Sequence, residues 1–92
     1  MRKQGRIDTN QREIMQALRD IGASVEVLSG VGHGCPDLLV GYQGTNYLLE
    51  CKSPKGKATS DQCYWMARWN GKLPDFVRTV DEAFKAIGAK VK

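Results

Sequence analysis

Pro36-Asp37-Leu38-Leu39-Val40-Gly41-Tyr42-Gln43-Gly44-Thr45-Asn46-Tyr47-Leu48-Leu49-Glu50-Cys51-Lys52 is the stretch that decides the fold. Its two ends, 37–42 and 47–52, are rich in leucine, valine and aromatic residues, and a short polar turn containing glycine separates them. Such a pattern predicts a β-hairpin. A two-residue type II′ loop at Gly44-Thr45 would pair Gln43 with Asn46 and Tyr42 with Tyr47. Asp37 then falls opposite Lys52, with Glu50 one diagonal step away. Cross-strand partners share a face, as do residues two apart along a strand. Asp37, Glu50 and Lys52 are therefore expected on one face, and Leu38, Val40, Leu49 and Cys51 on the other. A slip of one residue would scatter the group.

Two carboxylates about 7–8 Å apart across a hairpin can reach one divalent cation. Hard oxygen donors with open positions suit Mg²⁺, which keeps several waters and is completed by substrate phosphate. Such an ion favours in-line displacement at phosphorus. A neighbouring lysine can position the nucleophile or neutralise phosphate charge. The competing reading is a hairpin with an ordinary solvated face, Glu50 and Lys52 being surface charges.

Outward from the hairpin, residues 8–21 are predicted to form a helix. Ile14, Leu18 and Ile21 recur at i, i+4 and i+7 with Ala17 on the same face, and Gly22 ends it. Asp8 or Thr9 can cap its start. Glu13 borders the apolar stripe, either leaning toward the sheet or remaining a surface charge. Residues 24–29 alternate as a strand, and Gly30-Val31-Gly32-His33-Gly34 follows as a loop. These glycines do not make a phosphate-binding loop, since the Lys-Ser/Thr and helix it requires do not follow. They suit a tight turn or a backbone that passes close to a ligand. His33 is either a plain exposed histidine, a group touching a polyanion, or an auxiliary base.

A second helix is expected over 60–70, with Cys63, Met66 and Ala67 on its packing side. Thr59-Ser60-Asp61-Gln62 matches a capping box, which explains Gln62 structurally. Trp65 and Trp69, at i and i+4, read as core or subunit interface rather than a base-stacking platform. A last strand is predicted at 75–80. Thr79 and Glu82 then repeat the capping pattern before a helix packing through Ala83, Ala86 and Ile87.

At 92 residues the chain is expected to be one domain, 1–92, with modest stability unless a partner contributes. No apolar run approaches the ~18 residues of a membrane span, and the N-terminus lacks a signal-peptide core, which predicts a cytoplasmic protein. Cys35, Cys51 and Cys63 are odd in number, with spacings of 16 and 12. They fit reduced, partly buried thiols better than zinc ligands. Net charge is +4, which favours a polyanionic partner. Its distribution is more telling: Arg2, Lys3 and Arg6 form a basic arm, and Lys55 and Lys57 follow directly on Lys52.

Taken in order, Gly34-Cys35-Pro36-Asp37-Leu38-Leu39-Val40-Gly41, then Leu48-Leu49-Glu50-Cys51-Lys52, then Gln62, resembles the PD-(D/E)XK nuclease superfamily. More narrowly it is similar to the virus-type replication-repair nuclease (VRR-NUC) domain in its short stand-alone phage and bacterial form. The resemblance covers nearly the whole chain and implies an α/β, restriction-endonuclease-like core: a central mixed β-sheet flanked by helices. It implies Mg²⁺ or Mn²⁺ held by Asp37, Glu50 and the Cys51 carbonyl, with Glu13 in support, and catalysis by Lys52 and Gln62 alongside the two acids, Gln62 lying beside the site and holding water or phosphate. Cys51 stands where an aliphatic residue is common, a neutral change if only its carbonyl faces the metal.

The activity implied is a DNA endonuclease acting on branched or Holliday-junction DNA as a homodimer, in a bacterial cell or phage-infected host. Lys55, Lys57, Arg2, Lys3, Arg6 and His33 are the candidate DNA contacts. Trp65, Trp69, Tyr64, Met66 and Phe76 are many large side chains for so small a core, which also suits an interface. The alternatives are a DNA-binding module of the same fold without catalysis, against which the intact Asp37, Glu50 and Lys52 argue, and a restriction-type nuclease subunit.

Overall fold

In a computed structural model, which describes residues 9–90, the apolar periodicity around Ile14 and Leu18 forms α1 (Thr9–Asp20). Ile14, Met15 and Leu18 are buried, and Gly22 takes a φ of 94° to close the helix. The capping groups expected at Asp8 and the Thr9 side chain, and the basic arm Arg2, Lys3 and Arg6, lie outside what the structure describes.

Four strands follow the hairpin logic: β1 (Ser24–Val27), β2 (Leu38–Tyr42), β3 (Thr45–Cys51) and β4 (Asp75–Val77). They stand in the order β1-β2-β3-β4, antiparallel through β3 and parallel between β3 and β4. The sheet is therefore mixed, and the passage from β3 to β4 runs through α2 (Ser60–Arg68). The strands at 24–29 and 75–80 are both shorter than expected. The chain leaves β1 after Val27, and only the Leu28 N–H still reaches across, donating to the Asp37 carbonyl at 2.7 Å.

The hairpin register differs from the expected one. Tyr42 pairs with Thr45 and Leu38 with Leu49, so the loop is Gln43-Gly44, both at positive φ (48° and 82°). That is the pattern of a type I′ turn. Thr45 is β-branched and is taken into the strand rather than the loop. The shift is two residues, not one, so every side chain keeps its face. Leu38, Val40, Leu49 and Cys51 are buried together as expected.

These residues meet α1 and α3 (Val80–Ala86) on one side of the sheet, with Val77, Ala83 and Ile87. Burying a leucine such as Leu49 contributes about 1.5–3 kcal/mol. Thr79 caps α3, accepting from the Glu82 N–H, while Glu82 reaches one residue further back than a capping box requires and accepts from the Arg78 N–H at 2.7 Å.

Among the described residues, the other face of the sheet carries α2 alone. None of its residues is buried. The packing side expected for it, Cys63–Met66–Ala67, is corrected: Cys63 and Ala67 are exposed, while Gln62, Trp65 and Met66 are half-buried. The rotation of the helix is set by Gln62, whose side chain is tied to β3. No helix among the described residues is long and apolar enough to cross a membrane.

Candidate active site

The two-residue shift in register improves the acidic cluster. Continued one step beyond the Leu38–Leu49 pair, it sets Asp37 across from Glu50 rather than from Lys52. Asp37 enters β2 behind buried Pro36, and its carboxylate accepts from the Cys51 N–H at 2.8 Å. Its carbonyl is held by Leu28, so the residue is fixed at both ends. Glu50 is 4% exposed, on the face opposite the core.

A carboxylate buried beside another carboxylate resists ionisation. The Glu50 carboxyl is accordingly pushed up to about 7, first by burial, then by the charge of Asp37, with a hydrogen bond between the two acids acting in the same direction. Lys52 opposes this, its ammonium lying 3.6 Å from Glu50 Oε2. That ammonium is itself largely covered and stands 6.0 Å from the centroid of the Phe76 ring. The Asn10 amide in the first turn of α1 donates to the Lys52 carbonyl at 2.8 Å, tying down the end of β3.

Gln62 caps its own helix and also lies beside the acid pair. Thr59 and Gln62 form a full capping box: the Gln62 N–H donates to Thr59 Oγ1 at 3.1 Å, and the Thr59 N–H donates to Gln62 Oε1 at 3.0 Å. With its oxygen engaged by Thr59, the amide turns its NH₂ outward, and this donates to Glu50 Oε2 at 2.6 Å. The cap thus orients the donor, and Glu50 receives it. Helix and acid are brought together by the glycine loop. Gly34 has a φ of 82°, and a Cβ there would overlap the Asp61 carbonyl and stand 2.9 Å from the Gln62 nitrogen. The sequence suggests a ligand or a tight turn for these glycines; at Gly34 the close neighbour is instead the start of α2.

The structure thus gathers Asp37, Glu50, Lys52 and Gln62 at one corner. Glu13 is exposed on α1 and enters none of the side-chain hydrogen bonds or ion pairs among the described residues; Asn10 is the α1 residue that reaches the site strand. His33 is exposed, at a φ of 57°, in a tight turn closed by the Cys35 N–H donating to the Gly32 carbonyl. Lys55 and Lys57 are exposed in the loop after β3, which Arg78 pins by donating to the Gly56 carbonyl at 2.8 Å.

Cys35 is not among the site residues the sequence suggests, yet it adjoins the acid pair. Burial raises its thiol pKa, and the charges of Glu50 and Asp37 raise it further, so it is a neutral neighbour rather than a nucleophile. Cys51 is buried and Cys63 exposed, the latter against expectation. Asn10 and Arg78 carry no signal in a single sequence, because both act through backbone carbonyls that only the fold brings near.

Among the described residues no three His, Cys, Asp or Glu side chains are grouped to hold a metal ion. Two acids suffice for Mg²⁺, which takes one or two carboxylates and leaves its other positions to water and phosphate. The donor set fits, since Glu50 and Asp37 crowd negative charge into a buried corner that a cation would relieve.

A mixed sheet with helices on both faces and an acid pair with lysine on adjoining strands defines a restriction-endonuclease-like α/β fold. A solved VRR_NUC domain matches it with a TM-score of 0.67, covering 91% of this chain and 100% of that one at 24% identity. The fold of this chain is therefore that of a VRR_NUC domain. No family model matches the sequence, and no curated protein matches it.

Proposed function

We propose that this chain is a metal-dependent endonuclease that hydrolyses phosphodiester bonds in DNA. The observation that carries the reading is the convergence of Lys52 and Gln62 on one oxygen of a buried glutamate that is paired with Asp37. A buried glutamate held against a second carboxylate is costly to a fold; Lys52 offsets part of that charge, and a bound cation would offset more. Asp37, Glu50 and the Cys51 carbonyl are the groups that would hold Mg²⁺ or Mn²⁺. When bound, the ion would supply charge stabilisation at the phosphate and an activated nucleophile.

The chain's own residues do the rest. The Cys51 N–H fixes the Asp37 carboxylate, and Gln62 fixes that of Glu50. Lys52, held close to Glu50, places a positive charge where the phosphate develops negative charge. Lys55 and Lys57 would continue the positive surface along the strand that is cut, and His33 would be a further contact from the glycine loop. Arg2, Lys3 and Arg6 would add contacts from the N-terminal arm. Glu13 is kept as an outer support only.

Duplex or junction cleavage needs two cuts, and a symmetric homodimer supplies two sites from one short sequence. Exposed Tyr64, Val31 and Leu73 are apolar groups available to such contacts. Branched DNA, including four-way junctions, is the preferred substrate class, and the cytoplasm of a bacterial or phage-infected cell is the proposed setting.

The test is a gel assay on duplex, flap and four-way junction DNA with Mg²⁺, Mn²⁺ or EDTA, alongside sedimentation of the protein. Cleavage should need the cation and disappear in Asp37→Ala, Glu50→Ala and Lys52→Ala, with DNA binding largely kept. Cutting in EDTA, or full turnover by Glu50→Ala, would end the proposal; a 10.2 kDa species with and without DNA would remove the dimer.

A further inference from the structure

Beyond the acid pair, the same sheet face holds a cavity of 390 Å³ under the end of α2. Leu39 and Leu48 are cross-strand partners on that face, and both line it. Trp69, Asn46 and Lys72 contribute the remaining chemistry. Leu48 lies two residues from Glu50, so the cavity begins about 6.7 Å along the strand from the buried acid. A nucleotide whose phosphate stood at Glu50 would bring its neighbour's base to this point.

The wall is built rather than accidental. The Trp69 indole is stacked on Trp65, with centroids 4.5 Å apart and planes within 17°. Gly71 lets it lie there, since a Cβ at that position would stand 2.9 Å from Trp69 Nε1. Trp69 is nevertheless 45% exposed, so the core reading of this aromatic pair does not account for it. Lys72 also lines the cavity, while its ammonium lies 4.8 Å from the centroid of the Tyr47 ring, which packs toward the core face.

An apolar cavity with an aromatic wall, one amide and one cation is suited to a planar heteroaromatic carrying a phosphate. We propose that it receives an unpaired nucleobase of the bound DNA strand, adjoining the scissile phosphate. This rests on the nuclease reading and sharpens it. A base stacked within a duplex cannot enter, so the cavity selects strands with a splayed nucleotide, as at flaps, overhangs and junction points. Continuity with the acid pair, together with Asn46 and Lys72 in the lining, favours DNA over a second copy of the chain.

The experiment uses the metal-free full chain in EDTA, so that nothing is cut. Three fluorescent probes are titrated: a blunt duplex, the same duplex with a thymidine overhang, and that overhang with abasic residues. The two tryptophans of the chain, Trp65 and Trp69, report binding by quenching. The overhang should bind at least about five-fold tighter than the blunt duplex, as one base-on-aromatic stack would give. Abasic residues should abolish that advantage and the quenching. Trp69→Ala should abolish the advantage while leaving duplex affinity unchanged, and Trp69→Phe should restore most of it.

Equal affinity of the wild type for blunt and overhang DNA would overturn the base site and leave the nuclease reading standing. A Trp69→Ala variant that binds all probes equally weakly and changes mass in light scattering would make the cavity an interface between copies, and would overturn it too. Failure of every form to bind any DNA would overturn both readings at once.

Discussion

Glu50 is where the proposed chemistry and the stability of this chain meet. Its carboxyl lies near 7 in the folded, metal-free protein against an ordinary value of 4.5, so the folded state holds the proton more tightly than the unfolded state does. The sign follows from linkage: this contribution is complete below about 4.5, declines as pH rises, and is gone above about 7. Its ceiling is about 3 kcal/mol, reduced by whatever solvent screens. Urea unfolding in EDTA between pH 4.5 and 8 should therefore show falling stability, and Glu50→Gln should flatten that slope. A wild-type curve that rises through this window would contradict the buried acid pair. If Mg²⁺ binds here as proposed, it would favour the ionised carboxyl, and the stabilisation it gives should be larger at pH 8 than at pH 5.

At the scale of elements, the loop between β1 and β2 and the first turn of α2 are one assembly, because Gly34 sits against the Asp61 carbonyl. Gly34→Ala adds both a collision with backbone and a left-handed conformation that alanine resists. A loss of roughly 1–3 kcal/mol is expected, with Gln62 drawn away from Glu50 and cleavage reduced more than DNA binding. An alanine variant with unchanged thermal midpoint and turnover would show that the loop and helix are not coupled.

How much of this is legible in the residues follows from the kind of information each element needs. Period-two alternation fixes the face of a residue, so Asp37, Glu50 and Lys52 group together even when the turn is placed one residue too far along. Loop type is not legible, since a left-handed Gln43 leaves no mark in its residue type. The rotation of α2 is hidden because its apolar residues are spread around the helix, and only the Gln62 contact fixes which side faces inward. Resemblance draws Glu13 toward the site, whereas the helical phase brings Asn10 to the end of β3.

For the whole molecule, positive charge is the long-range property. Lys55 and Lys57 project from a loop that Arg78 secures. Replacing both lysines by alanine should weaken all DNA probes alike and reduce the salt slope of log K by about 0.9 for each phosphate no longer neutralised. An unchanged slope would place the loop away from the phosphates.

Helix α2 and the residue that ends it carry both tryptophans, and the helix buries none of its residues. Most of the free energy holding the chain together therefore lies elsewhere, between the sheet and the other two helices. Local opening of such an element is expected at a lower free energy than global unfolding. Amide protons of α2 should exchange with solvent well before those of β2 and β3, and tryptophan emission should change at lower urea than the far-ultraviolet signal of the sheet. The Gln62 donor leaves with the helix, so the fraction of molecules ready to act at any instant would be set by this one weakly held segment rather than by the stability of the protein as a whole.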